Sequence, residues 1–173
     1  MARCEREDTV TGETGETGET GVYKAYYKSP VGLAEVVGAA DGIVSVRFVD
    51  DDDVERGASS PDVDACIDQL DDYFAGRRES FSLHLRPRGT PFQRLVWAEL
   101  AAIPFGRRAT YRDIAVALGK EEAVRAVGHA NGRNRINIIV PCHRVVGSDG
   151  KLRGYADGLW RKEWLLRHER AMA

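Results

Sequence analysis

The hydrophobic pattern of this chain changes period near Arg86, and that change limits the folds open to it. Before it, in YKAYYKSPVGLAEVVGAADGIVSVRFV, three short runs rich in Val, Tyr and Ile are separated by Ser29-Pro30 and Asp41-Gly42. Asp-Gly between apolar runs is a strong turn signal, so an antiparallel meander is expected from Val22. In PDVDACIDQLDDYFAG, residues Val63, Cys66, Ile67, Leu70, Tyr73 and Phe74 recur at three- and four-residue spacing. That spacing predicts an amphipathic helix from Pro61, stopped by Gly76. With a short strand near Phe81 to Leu85, these elements make a small α+β unit, read as a supporting scaffold.

After the linker Arg86-Pro87-Arg88-Gly89 the pattern becomes helical. Thr90 suits an N-cap and Pro91 the first helical position, and Phe92, Leu95, Val96, Leu100 and Ile103 continue as a stripe ending before Pro104. Thr110 and Asp113 form a capping-box-like pair leading into Ile114, Ala115 and Leu118, with Gly119 closing that helix. A second short helix is expected from Glu121 to Ala130, and Asn131-Gly132-Arg133-Asn134 reads as a turn. Helix, glycine turn, helix is the helix-turn-helix layout, which many helical hairpins that bind no DNA also share. Ile136 to Val140 is a short buried run. A last helix is expected over Leu159 to His168, with Leu159, Trp164 or Trp160, Leu165 and Leu166 inward and Glu169 at its end.

At 173 residues the chain is long enough for one domain or two small ones. Residues 1–21 end in the repeat TGETGETGETG, whose composition cannot offset the entropy of ordering, so a disordered tail is expected. Three segments follow: 1–21 a tail, 22–88 an α+β scaffold domain, and 89–173 a helix-turn-helix and active-site domain. No apolar run approaches the ~20 residues of a membrane span and no apolar signal-peptide core opens the chain, so a soluble, cytoplasmic protein is expected. Asp50 to Asp53 read as a solvated loop. Cys4, Cys66 and Cys142 are too few and too scattered for a disulfide framework or zinc knuckle. Cys66 falls on the apolar side of its helix, as a small buried hydrophobe would.

The formal net charge of −2 conceals a division. Residues 1–85 carry 8 Lys+Arg against 19 Asp+Glu, and residues 86–173 carry 17 against 8. A basic half suggests a polyanionic partner for the second unit only.

Chemistry concentrates in NGRNRINIIVPCHRVVGSDGKLRGY, Asn131 to Tyr155, where Cys142 lies between a buried run and a basic loop bracketed by glycines. A thiol becomes nucleophilic when cationic or hydrogen-bonding neighbours stabilise its thiolate, and His143 and Arg144 are such groups. On an extended strand adjacent side chains face apart, so Cys-His is useful only where the backbone bends after Pro141.

The segment PCHRVVGSDGKLRGYADGLWRKEWLLRHE, with RAVGHANGRN and PFQRLVWAELAAIPFGRRATYRDIA upstream, resembles the O6-alkylguanine-DNA alkyltransferases. The resemblance covers roughly Val22 to Glu169 and is strongest from Pro91 onward. It implies an N-terminal ribonuclease H-like unit and a mostly helical C-terminal domain with a helix-turn-helix. It implies a protein that repairs DNA by irreversible, single-use transfer of an alkyl group from O6-alkylguanine, with O4-alkylthymine a second candidate, to Cys142. His143 would receive the thiol proton through a water, Glu169 would orient His143, and Asn134 would brace the site. Arg125 would fill the stack left by an extruded base, and Tyr111 would rotate the 3′ phosphate. The helix with Ala126, Gly128 and Ala130 would enter the minor groove of double-stranded DNA, where small residues permit close approach, and Arg133 would add a DNA contact. Tyr155 would stack on the guanine in a pocket shared with Asn131, Val145, Leu152 and Ala156. No cofactor or metal is implied, and a monomer is expected.

Three positions depart from the family pattern. Arg135 follows Asn134 where proline is usual, Asp157 stands where the loop usually has glycine, and His129 where a small residue is common. A non-catalytic alkyltransferase-like lesion binder is the alternative reading, which the presence of Cys142 opposes. A cysteine hydrolase would leave the basic helix-turn-helix half unexplained.

Overall fold

The computed structural model describes residues 21–49 and 57–170. The GET repeat with Cys4, and Asp50 to Asp53, lie outside the described residues. The expected meander is present: β1 (Tyr23–Ser29), β2 (Gly32–Ala39) and β3 (Gly42–Val49) form an antiparallel sheet in sequential order. Each hairpin places a glycine just after a two-residue connection, Gly32 at φ 117° and Gly42 at φ 138°. A side chain at position 42 would also meet the His84 carbonyl oxygen at 2.5 Å, so glycine is required there twice over.

Helix α1 (Pro61–Phe74) starts at Ser60, whose hydroxyl accepts from the Val63 amide, and packs Val63, Cys66, Leu70 and Tyr73 onto the sheet. Residues 81–85 do not form the expected strand. They reach the sheet through a single parallel bridge, Ile43 to Leu85, with Ile43 N–H donating to His84 at 2.7 Å and Arg86 N–H returning to Ile43 at 2.7 Å. Segment 135–137 docks on the same strand: Val46 N–H donates to Arg135 O at 2.8 Å and Asn137 N–H to Val46 O at 2.9 Å. Two short segments thus cover the β3 edge, and the exposed ladder that an edge strand would present is used up within the chain. His84 itself is exposed and faces Asp62 at 3.5 Å.

The second unit contains α2 (Pro91–Ala101), α3 (Tyr111–Ala117), α4 (Val124–Gly132) and α5 (Leu159–His168). Both N-terminal signals work as expected, with Thr90–Gln93 and Thr110–Asp113 forming reciprocal capping boxes. Glu121–Ala123 is a 3-10 turn feeding α4, and Asn131 and Gly132 complete α4 instead of starting a turn. The indole of Trp97 donates to Ala130 O at 2.9 Å, tying α2 to that last helical turn. A two-residue parallel pair, β4 (Ala109–Thr110) with β5 (Val145–Val146), was not legible in the sequence. In α5, Leu165 and Leu166 are fully buried and Trp164 is partly buried, but Leu159 is exposed, as is Trp160. The single turn before Leu159 bends at Gly158, φ 97°, and points the first helical residues outward. One apolar cluster runs from Val31 and Val36 through Leu70 and Val96 to Cys142 and Leu165, so the two units share a core. No helix among the described residues is long and apolar enough to cross a membrane.

Candidate active site

Cys142 is delivered by two tight turns. Ile139 N–H donates to Asn137 O at 2.8 Å around Ile138, and Cys142 N–H to Val140 O at 2.8 Å around Pro141. Pro141, at φ −81° and ψ 62°, holds the relaxed form of the three-residue turn. Ile138 holds the strained form at φ 71°, which a β-branched side chain resists. The strain is sustained by the Asn134 amide, which donates to Val140 O at 2.9 Å and to Ile136 O at 3.4 Å while its oxygen accepts from the Ile136 amide at 3.0 Å. Pro141 bends the chain into a 3-10 turn over Cys142–Arg144, so the adjacent Cys and His side chains escape the opposite-face geometry of a strand.

His143 and Glu169 lie wholly inside. His143 Nε2 donates to Glu169 Oε1 at 2.8 Å. The same oxygen accepts from the Tyr73 hydroxyl at 2.7 Å and Arg144 Nη2 at 3.0 Å, and Oε2 accepts from Arg144 Nε at 2.8 Å and the Gly106 amide at 3.5 Å. Burial alone would raise the Glu169 carboxyl, but hydrogen bonds and charge from His143 and Arg144 hold it down at about 2. An ionised carboxylate only accepts, which places the neutral imidazole proton on Nε2 and leaves Nδ1 with a lone pair. That Nδ1 is buried and has no hydrogen-bond partner among the described residues. Burial lowers the His143 pKa, so the ring is neutral at pH 7.

Cys142 is buried, with 3% of the residue exposed. Burial pushes it up to about 11, against hydrogen bonding from Asn134 and the charge of Lys162, which lower it. It is therefore a thiol at neutral pH and needs a base before it can act as a nucleophile. Lys162 is fully buried, its ammonium donating to Val145 O at 2.6 Å and Arg153 O at 2.7 Å, and burial brings it down to about 8.

A cavity of about 10 Å³ beside the sulfur is lined by Asn131, Asn134, Asn137, Tyr155, Ala156 and Gly154, among others. The Asn131 side-chain oxygen and the Tyr155 hydroxyl are buried there with no partner among the described residues. Such orphans are uncommon in a settled core and cluster where a ligand is to be met. Val145 is completely buried one residue past the turn, and Leu152 packs against Val146 and Leu166 instead of lining this cavity.

The sequence-predicted DNA residues fall on one side. Arg125, Ala126, His129 and Arg133 are exposed along α4, while Val127 and Ala130 face the core. Tyr111 lies against this helix, its ring 3.8 Å from where a Gly128 side chain would begin, and its hydroxyl donates to Arg153 O at 3.1 Å. Arg135 is exposed and its carbonyl serves the β3 edge; Asp157 is half-buried and accepts from the Asn137 amide. Sequence reasoning missed Tyr73 and Lys162 as members of the site, and it read Arg144 as a neighbour of the thiolate where the structure pairs it with Glu169.

Two family models match the chain: "6-O-methylguanine DNA methyltransferase, ribonuclease-like domain" over residues 22–87 and "6-O-methylguanine DNA methyltransferase, DNA binding domain" over residues 91–171. The methylated-DNA–protein-cysteine methyltransferase of Methanosarcina acetivorans is 44% identical over 161 residues, 86% of this chain and 98% of that protein. The protein of the same name from Methanosarcina barkeri is 60% identical over 101 residues, which span 58% of this chain and 64% of the relative. The crystal structure of Mycobacterium tuberculosis O6-methylguanine methyltransferase superimposes with a TM-score of 0.77 at 39% identity, covering 88% of this chain and 94% of that one. The same organism's OGT in complex with DNA gives 0.78 at 40% identity, covering 87% and 94%. With this site on this fold, the chain belongs to the 6-O-methylguanine DNA methyltransferase family, which repairs DNA by moving an alkyl group onto a cysteine of the protein itself.

Proposed function

We propose that Cys142 is the alkyl acceptor and that His143 is its base, acting through a water held at Nδ1. The observation that carries this reading is the buried His143 whose Nε2 is committed to Glu169, beside a thiol that burial keeps protonated. Glu169 fixes the tautomer and stabilises the imidazolium when the proton arrives. The thiolate sulfur then attacks the alkyl carbon, the carbon–O6 bond breaks, and its electron pair goes to O6 of the guanine, which takes up a proton. A thioether remains on Cys142, and no step regenerates the thiol.

On this reading the chain works as a monomer in the cytoplasm on double-stranded DNA carrying O6-alkylguanine. Helix α4 enters the minor groove, where Ala126 and Gly128 let the backbone approach and Arg133 adds a phosphate contact. The O6 atom cannot meet a buried thiol while its base is stacked, so the nucleotide must leave the duplex, with Arg125 taking its place and Tyr111 turning the neighbouring phosphate. Tyr155 stacks on the base, and the orphaned Asn131 oxygen and Tyr155 hydroxyl are candidates to read its edge. The 10 Å³ cavity holds about one water, far less than a purine, so the loop from Gly147 to Gly158 moves as the base enters.

The test is to incubate the protein with duplex DNA containing O6-methylguanine and map the added mass. One methyl on the Cys142 peptide is expected, with Cys142→Ser unmodified yet still bound to the DNA. Unmodified wild-type protein bound to the lesion would establish the binder instead, and a Cys142→Ser protein that no longer binds would make the cysteine structural.

A further inference from the structure

Asn137 and Asp157 form a polar pair beside the sulfur that the reaction above does not use. Asn137 is 4% exposed, and its backbone is fixed to β3 through Val46. Its side-chain oxygen lies 3.8 Å from Cys142 Sγ, and its amide nitrogen donates to Asp157 Oδ2. Asp157 is fixed in turn: its carbonyl accepts from Arg161 Nη1 at 2.7 Å, Arg161 Nε donates to Val31 O at 2.8 Å, and the guanidinium lies over Trp160 at 4.4 Å and Phe48 at 5.0 Å.

An amide side chain can present either its oxygen or its nitrogen to a neighbour, and Asp157 makes that choice. A carboxylate only accepts, so the Asn137 NH2 must face Asp157 and the oxygen must face the sulfur. A carbonyl oxygen at that place accepts an S–H and repels an S⁻. We propose that Asn137 and Asp157 are a positioning couple that holds Cys142 as a thiol in the resting protein, sparing the single-use sulfur from adventitious electrophiles until His143 takes the proton. The proposal rests on Cys142 being the acceptor.

The other charged and titratable groups around this couple are accounted for. Facing the sulfur are Lys162 from α5, Tyr111 from α3, Tyr155 from the loop and His143 beside it. Facing Asp157 are Arg161 from α5 and Arg47 from β3, both of which favour its ionised form against burial. Lys162 favours the thiolate, so the couple opposes a cation already committed to two carbonyls.

The experiment measures iodoacetamide modification of the Cys142 peptide from pH 6 to 11 in wild type, Asp157→Asn, Asn137→Ala and the double variant. Only the thiolate reacts, so the profile reports its pKa. Asp157→Asn can accept or donate and so frees the amide to turn its NH2 to the sulfur. Its profile is expected about one pH unit lower, roughly tenfold faster modification below the inflection. In the Asn137→Ala background a clearly smaller shift is expected, due only to loss of the Asp157 charge that itself raises the thiol. An unmoved profile in Asp157→Asn overturns the proposal, as does an equal shift in both backgrounds, which would mean that the carboxylate acts on the sulfur by charge alone. Asp157→Gly, which adds no hydrogen-bonding group, reads the same couple if Asp157→Asn fails to fold. Methyl transfer to wild-type Cys142 is measured in the same samples. Its absence would sink the acceptor assignment while leaving the effect of the couple on the thiol to be read separately.

Discussion

The two sides of the Cys142 pocket are held by different means. On one side a single carboxylate, Glu169, gathers donors from Tyr73, His143, Arg144 and the Gly106 amide, all of them on different elements from its own. On the other, the loop from Gly147 to Gly158 is attached at points: Tyr111 and Lys162 to Arg153 O, and Asn137 and Arg161 to Asp157. A buried charge network yields only as a unit, because breaking one part leaves another charge unpaired. A loop tied at points opens at low cost. On the proposed reading, the proton chemistry falls to the side that stays and base entry to the side that gives.

The largest break is Glu169→Ala. It leaves Arg144 buried without its carboxylate and Tyr73 and His143 without an acceptor, and removal of one member of a buried pair costs roughly 3–5 kcal/mol. For a chain of this length that corresponds to a fall in Tm of roughly 6–20 °C. A fall under about 2 °C would mean that packing, not this carboxylate, holds the fixed side.

Acid sharpens the same contrast. Glu169 is depressed to about 2 in the folded protein from 4.5, so its stabilisation is present above pH 4.5 and is lost as pH falls toward 2. The shift corresponds to about 3 kcal/mol by linkage. His143 is also lowered by folding, so the unfolded chain takes its proton first, and the loss due to His143 begins below pH 6.5. Urea unfolding from pH 7 to 3 is expected to show stability declining first below 6.5 and more steeply below 4.5. Glu169→Ala is expected to lack the lower step; a wild type flat between pH 4.5 and 3 would contradict the carboxylate's role.

Local features of this architecture were legible in the sequence because local physics decides them. The hairpin turns, the Thr90 and Thr110 caps and the bounds of α5 all follow from residues within a few positions of one another. That Glu169 meets His143 beside Cys142 was legible through a motif. What escaped was non-local. Tyr73 lies on the apolar stripe of α1 and looks like any core aromatic, yet its hydroxyl meets a carboxylate 96 residues away. The scaffold unit thus reaches Glu169 through that phenol and the Cys142 pocket through β3, which fixes Asn137. Lys162 stands in the charged stretch WRKEW, where burial is the least expected outcome. Asn131-Gly132 carries turn composition, but the Trp97 bond to Ala130 and the burial of Asn131 keep it helical. Nothing in INIIVP announces the positive φ of Ile138, which the Asn134 brace imposes.

A matched pair of phenol deletions measures the contrast most finely. Tyr73→Phe removes a buried hydrogen bond to an ionised carboxylate, which is worth roughly 1.5–3 kcal/mol. Tyr111→Phe removes an exposed bond to the Arg153 carbonyl, worth about 0.5 kcal/mol at the lower end for neutral pairs. The two variants should also differ in where they loosen the protein. Tyr111→Phe is expected to speed hydrogen exchange at loop amides from 151 to 156 with global stability nearly unchanged, because it detaches one of four side-chain ties. Tyr73→Phe is expected to lower protection in α5 and around His143 through the global opening it favours, with no preference for the loop. If Tyr111→Phe instead costs as much as Tyr73→Phe, or leaves loop exchange unaltered, the loop is held as firmly as the Glu169 side. Base entry would then have to proceed by some route other than release of that loop.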